Sequence, residues 1–254
     1  MLDKIIAIVR EAGKIVNNAK EIDSHTHKKT SAADLATDYD VAVENFLREK
    51  LCALVPDAVF FGEEEQLDGD PSKGWAFIVD PIDGTTNFVR NFHQSGIAVA
   101  LAKDCEVQYG VVYDPGKDEM FAAERGKGAT LNGKPIHVSD KPLDQGLFIM
   151  GTAIYLREFM YRSMDLTTQL LERSCDMRRF GAATLDLCYI AAGRAEVFFE
   201  YSLAPWDYAA GAFIAQEAGA TATQLDGSPL PNIKRCSVWL NNPANSDIRA
   251  QLKI

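Results

Sequence analysis

Trp75-Ala76-Phe77-Ile78-Val79-Asp80-Pro81-Ile82-Asp83-Gly84-Thr85-Thr86-Asn87-Phe88 opens as an apolar run, Trp75 to Val79, whose aromatic and β-branched side chains mark a buried strand. Asp80 stands at the end of that run. Pro81 has no N–H to donate to a ladder, so the strand is expected to stop there. Asp83 follows, and Gly84-Thr85-Thr86 then leads into a helix start. Gly84 lets a backbone approach a ligand closely, and the N–H groups after it suit an anion. Two carboxylates, a turn and free donors within a few residues are what a divalent cation and a phosphate need side by side.

Upstream, Val59-Phe60-Phe61 is a short strand that runs into Gly62-Glu63-Glu64-Glu65, a second apolar run ending in acids. Glu63 is therefore a candidate metal ligand beside Asp80. Ile5, Ile8, Val9, Ala12, Ile15 and Val16 keep the spacing of an amphipathic helix. The segment His25 to Ser31 reads as an exposed basic loop, and two histidines there are weak evidence for metal. A second helix is expected to start with Asp38 as its cap, leaving Asp40 one turn in and Val41, Phe46, Leu47 and Leu51 on its buried face.

Downstream, Ile97 to Ala102, Val107 to Tyr113, Met120 to Ala123 and Thr130-Leu131 read as an antiparallel meander punctuated by glycine turns. From about residue 147 strands alternate with helices, the mark of an α/β half, and a final helix is expected at the end. The strand Ala195 to Glu200 ends in an acid. Six residues separate it from Asp207, which stands at the start of a helix over Trp206 to Glu217. Pro142 to Gly146 is the seam between the halves. The chain reads as one domain of two packed halves, about 1–143 and 144–254.

The 254 residues are 47% hydrophobic and 24% charged, enough for a sizeable core. A net charge of −10 argues against a nucleic-acid partner. The five cysteines show no CxxC pair and fit neither a zinc site nor a disulfide framework. Without a signal-peptide pattern or a long apolar run, a cytoplasmic protein with no membrane contact is expected. The sequence contains no P-loop, no HExxH and no GxSxG. Two divalent ions a few ångströms apart can clamp a displacement at phosphorus, and Glu63, Asp80, Asp83 and Asp207 supply the carboxylates.

These residues resemble the inositol monophosphatase family of Mg²⁺-dependent, lithium-sensitive phosphatases. The resemblance rests on Trp75 to Phe88, on Trp206-Asp207-Tyr208-Ala209-Ala210-Gly211-Ala212-Phe213 and the residues to Gly219, on Gly62-Glu63-Glu64, and on Lys29 to Asp40. It implies a layered α/β sandwich of αβαβα type, with an antiparallel sheet in the first half and an α/β second half. It also implies a homodimer and two or three Mg²⁺ ions. Glu63, Asp80 and the carbonyl of Ile82 are the implied ligands of a first metal, and Asp80, Asp83 and Asp207 of a second. Gly84 and Thr85 would offer N–H groups to the phosphate of a small phosphorylated substrate, which Asp83 and Asp207 also adjoin. Asp40 with Thr85, beside Glu63, would orient the attacking water. Glu200 and Ala183 fall where substrate hydroxyls are contacted, and Lys29 falls near the site. Tyr39 and Ala204-Pro205 depart from the family pattern on the substrate side. Fructose 1,6-bisphosphate, NADP and nucleotide 3′-phosphates therefore stay open beside inositol monophosphate, as does a non-enzymatic binding role that retains the site.

Overall fold

The structure, a computed structural model, describes residues 1–28, 35–64, 69–153 and 156–254. Lys29 and the rest of the His25–Ser31 segment beyond Lys28, Glu65 and Asp68 fall outside them. In chain order the elements are α1 (Leu2–Asn17), β1 (Thr26–Lys28), β2 (Leu35–Thr37), α2 (Asp38–Leu54), β3 (Val59–Gly62), β4 (Trp75–Asp83) and α3 (Thr85–Val89). There follow β5 (Gly96–Lys103), β6 (Glu106–Asp114), β7 (Glu119–Glu124), β8 (Ala129–Leu131), β9 (Lys134–Ile136) and β10 (Leu147–Met150). The second half continues with α4 (Arg157–Leu171), β11 (Asp176–Arg178), α5 (Ala183–Ala191), β12 (Val197–Leu203), α6 (Pro205–Glu217), β13 (Thr221–Thr223) and β14 (Cys236–Asn241).

Two sheets carry the architecture. One has the order β3-β4-β5-β6-β7-β8-β9 and is antiparallel except for the β3–β4 pair; the other has the order β11-β10-β12-β14-β13 and is mixed. Side chains alternate across each strand, so each sheet is apolar on both faces. In β4, Phe77 and Val79 pack with Ile5, Val9, Val43 and Leu47 of α1 and α2, while Ile78 packs with α5 and α6. In the second sheet, Ile149, Phe198, Val238 and Leu240 also face α5 and α6. Phe148, Phe199 and Trp239 face outward against Leu166 and Leu170 of α4. The layers are thus α1/α2, sheet, α5/α6, sheet, α4, the αβαβα sandwich expected. Because α5 and α6 lie between two sheets they are apolar almost all round: every residue of α5 is buried, as are Ala209, Ala210, Phe213 and Ile214 of α6. The functional consequence is that any polar group on these helices lies at their ends or is held inside.

Several local expectations are corrected. Pro81 does not end β4: pairing with β5 runs on to Asp83↔Gly96, with the register shifting between Asp80 and Asp83. The irregularity absorbs the missing donor and breaks the regular alternation between the two aspartates. Thr37, not Asp38, caps α2, and its hydroxyl accepts the N–H groups of Tyr39 and Asp40. This phase buries Asp40, Val43, Glu44, Leu47 and Leu51 and leaves Val41 exposed. The basic segment is ordered over Thr26–Lys28, which pairs with Leu35–Thr37, and His25 and His27 both bond the carboxylate of Asp38. Glu200 lies inside β12, not at its end. The expected C-terminal helix is two short 3₁₀ turns, Pro243–Asn245 and Arg249–Gln251. No helix of the described residues is long and apolar enough to cross a membrane.

Candidate active site

The acids singled out in the sequence converge where the edge of the first sheet meets the central helices. β4 delivers Asp80, which is 1% exposed, on the face that Ile78 presents to α5 and α6. Its Oδ1 is buried and has no hydrogen-bond partner among the described residues. Burial, and then the negative charges of Glu63, Asp83, Asp207 and Asp40, push its carboxyl well above the usual carboxylate range. Asp207 sits at the third position of α6. Its Oδ2 accepts the Ala204 N–H at 2.7 Å, and burial with the charges of Glu63 and Asp83 raises it likewise.

Asp83 keeps part of its surface open to solvent but is packed closely enough that desolvation dominates its environment and raises it. Its Oδ2 accepts both the backbone N–H (2.7 Å) and the hydroxyl (2.6 Å) of Thr184 in α5. The N–H groups of Ala183 and Gly84 also act on it, opposing the rise. Gly84 caps α3 in the left-handed region, φ +80°, where an added Cβ would lie 3.0 Å from the Ala182 Cβ and the Gln94 carbonyl. Only glycine turns the chain here so tightly against the start of α5.

Asp40 is wholly buried. Its Oδ2 accepts the Thr37 N–H at 2.7 Å and the Thr37 hydroxyl at 2.6 Å. Its Oδ1 faces the Thr85 hydroxyl at 3.4 Å, and that hydroxyl also reaches the Ile82 carbonyl at 3.1 Å. Burial outweighs the two Thr37 bonds and, with the charges of Glu64 and Glu63, pushes Asp40 up to about 7. Glu63 is half-buried just beyond β3. Beneath it the buried Glu44 accepts the Glu64 N–H at 3.0 Å, and its carboxylate fills the space over Gly62.

Glu200 faces this cluster from the second sheet. Its Oε1 accepts the Ala153 N–H at 2.8 Å, and a Cβ on Gly151 would fall 1.8 Å from its Oε2. Burial pushes Glu200 up to about 7, opposed by the Ala153 bond and by Arg179. Ala183 stands at the first turn of α5, beside Asp83.

Four participants were not singled out in the sequence. Thr184, Thr37 and Glu44 brace Asp83, Asp40 and the Glu63 turn. The fourth, Asp186, is buried in α5 with an Oδ1 that has no partner among the described residues, and its carboxyl is raised well above the ordinary range by burial and the charges of Asp83 and Glu200. A lone acid in the apolar run Ala183 to Ala191 was the signal that could have found it.

Among the described residues no three carboxylate, imidazole or thiol groups form a ready-made cation cage. The donors nevertheless suit a hard divalent cation: they are oxygens only, mutually repulsive, and include the orphaned Oδ1 of Asp80.

Comparison with known proteins yields consistent matches. The profile described as the inositol monophosphatase family matches residues 1–252. Nus factor SuhB of Pseudomonas aeruginosa is 33% identical over 235 residues, 90% of this chain and 86% of that protein. The structure of Thermotoga maritima IMPase superposes with a TM-score of 0.85 at 28% identity, covering 98% of this chain and 93% of the other. The staphylococcal SaIMPase-II with inositol monophosphate bound superposes with a TM-score of 0.84 at 26% identity, covering 99% and 93%.

Proposed function

Because the chain belongs to the inositol monophosphatase family, we propose that it is a magnesium-dependent phosphomonoesterase acting on inositol monophosphate or a related polyol or sugar phosphate. One observation carries this reading: Glu63, Asp80, Asp83 and Asp207 act on one another as like charges in a poorly solvated site. Such an arrangement is costly unless cations offset it.

Glu63, Asp80, the Ile82 carbonyl, Asp83 and Asp207 would hold two or three Mg²⁺ ions. When bound, these would supply positive charge for a dianionic ester and for the oxygens of an in-line displacement. The protein's own groups do the rest. Thr184 fixes Asp83 through two hydrogen bonds to one oxygen, leaving its other oxygen to turn toward the site. Thr85 Oγ can accept a hydrogen bond from a water while donating to Asp40 Oδ1, so a proton lost by the water passes to Asp40. Burial raises the Asp40 carboxyl above the usual carboxylate range, which makes it a better proton acceptor than an exposed aspartate. Gly84 and Thr85 would present backbone N–H groups to the phosphate. Glu200 and Ala183 would meet hydroxyls of the alcohol, and the cradle of Gly151 and Ala153 holds Glu200 in place for that. The test is phosphate release from inositol 1-phosphate, NADP and a sugar-phosphate panel, with Mg²⁺ and with chelator. Full activity in chelator would sink this mechanism.

A binding role that coexists with the chemistry is a second reading, favoured by the name Nus factor borne by the P. aeruginosa relative. Capture of partners by wild type and by Asp83→Asn side by side separates the two. A binding role survives the substitution, and turnover does not.

A further inference from the structure

We infer that a cavity apart from the acid cluster binds a small organic carboxylate with an apolar body, held by the Tyr189 hydroxyl and the Arg178 guanidinium. The inference is independent of the phosphatase reading above.

The site is a cavity of about 240 Å³ where the first half meets the second sheet. Lys117, in the turn between β6 and β7, and Gln94, in the loop after α3, line it from the first half. Leu147 and Ile149 of β10 and Arg178 of β11 line it from the second, and Phe180 and Tyr189 of α5 complete it. None of Glu63, Asp80, Asp83, Glu200 and Asp207 lines it. Its volume falls below the ~300–1,000 Å³ of sites for drug-sized ligands, so its occupant is small.

Tyr189 is 5% exposed. Its hydroxyl oxygen accepts from Gln94 Nε2 at 2.8 Å and from Lys117 Nζ at 2.9 Å. Lys117 also donates to Gln94 Oε1 at 2.7 Å and to the wholly buried Asp114 at 2.8 Å. These bonds fix the Gln94 amide, because the opposite orientation would turn its NH₂ toward the ammonium. Both lone pairs of the phenol are therefore taken, and its own proton has no acceptor among the described residues. Burial pushes the phenol up, so it keeps that proton. A buried donor without an acceptor is unfavourable, and a ligand in the cavity can supply one. Arg178 Nη1 is held by Asp176 and by the Met177 carbonyl, which leaves Nε and Nη2 without partners among the described residues. Among those residues no carboxylate lines the cavity: Asp114, Asp176 and Glu119 answer Lys117, Arg178 and Arg194 from outside it. The cavity thus offers donors and positive charge beside the apolar surface of Leu147, Ile149 and Phe180. An inorganic anion would leave that surface wet, and a neutral apolar molecule would leave the donors unmet; an organic carboxylate meets both.

The test titrates benzoate, benzyl alcohol and acetate calorimetrically into the full chain in chelator, where the metal-free acids of the other site repel an anion. Benzoate should bind at one saturable site, roughly tenfold or more tighter than benzyl alcohol, which lacks the charge, and than acetate, which lacks the apolar body. Tyr189→Phe deletes the donor and Arg178→Gln deletes the charge, and each should weaken benzoate several-fold. Thermal melting establishes that each variant is folded, and Arg178→Gln, at an exposed edge, decides the matter if Tyr189→Phe is not. No saturable benzoate binding up to about 10 mM, equal affinity for benzyl alcohol, or unchanged affinity in a folded variant overturns the inference.

Discussion

Asp40 offers the sharpest link between structure and energy. In an unfolded chain its carboxyl titrates near 3.8; in the fold, buried against Thr37 and facing Glu63 and Glu64, it titrates at about 7. Below 3.8 both states are protonated and the group takes nothing from stability. As pH rises toward 7 the unfolded chain gives up the proton and the folded one keeps it, so stability falls through that window and levels off above it. A shift of about three units at ~1.4 kcal/mol each makes the charged carboxylate a cost of about 4 kcal/mol at pH 8 in metal-free protein. Asp40→Asn removes the charge and keeps the fit. One amide oxygen can accept both Thr37 donors, and the amide N–H can donate to Thr85 Oγ. The variant in chelator should therefore match wild type near pH 4 and gain on it with rising pH, by about 10 °C in melting temperature at pH 8. Thermal unfolding of both proteins across pH 4–9 reads this directly. A difference that stays flat with pH would refute the assignment of Asp40 as an ionising group that burial holds at cost. The same variant should lose turnover, as expected of a charge kept for function at the expense of stability.

Thr184→Val keeps the shape of the side chain but deletes the hydroxyl bond to Asp83. It should weaken Mg²⁺ binding by roughly 10–100-fold, read as the half-saturating Mg²⁺ for phosphate release. Gly151→Ala drives a Cβ into the Glu200 carboxylate and should lower kcat/KM by roughly 10–100-fold, with little change in the Mg²⁺ requirement. Trp239→Ala empties a wholly buried site between β14 and α4 and removes the indole bond to Asn241. Denaturant unfolding should show a loss of about 3–5 kcal/mol.

The fold was legible where side chains repeat with a period. The Trp75–Val79 run, the meander and the helix phase of Ile5, Val9 and Ala12 all read correctly, because each buries a face that the pattern declares. Where a single local contact decides, the pattern was silent. The Thr37–Asp40 capping box set the phase of α2 and turned Val41 outward, and the irregularity at Pro81 carried β4 to Asp83. The acids of the site were visible as carboxylates at the ends of apolar runs. Their supports were not. Thr184 bonds Asp83 across 101 positions, and Asp186 takes its meaning only from the sheets packed on either side of α5.

The most direct test of the account is phosphate release from inositol 1-phosphate by wild type and by Asp80→Asn, each titrated with Mg²⁺ from chelated to saturating. Glu63, Asp83, Asp207 and Asp40 all act on Asp80, whose Oδ1 is buried without a hydrogen-bond partner among the described residues. Wild type should show saturable, Mg²⁺-dependent turnover, and the variant should fall by orders of magnitude at every Mg²⁺ concentration while keeping its fold. Turnover in chelator equal to that in Mg²⁺, or an Asp80→Asn protein that matches wild type, would contradict it.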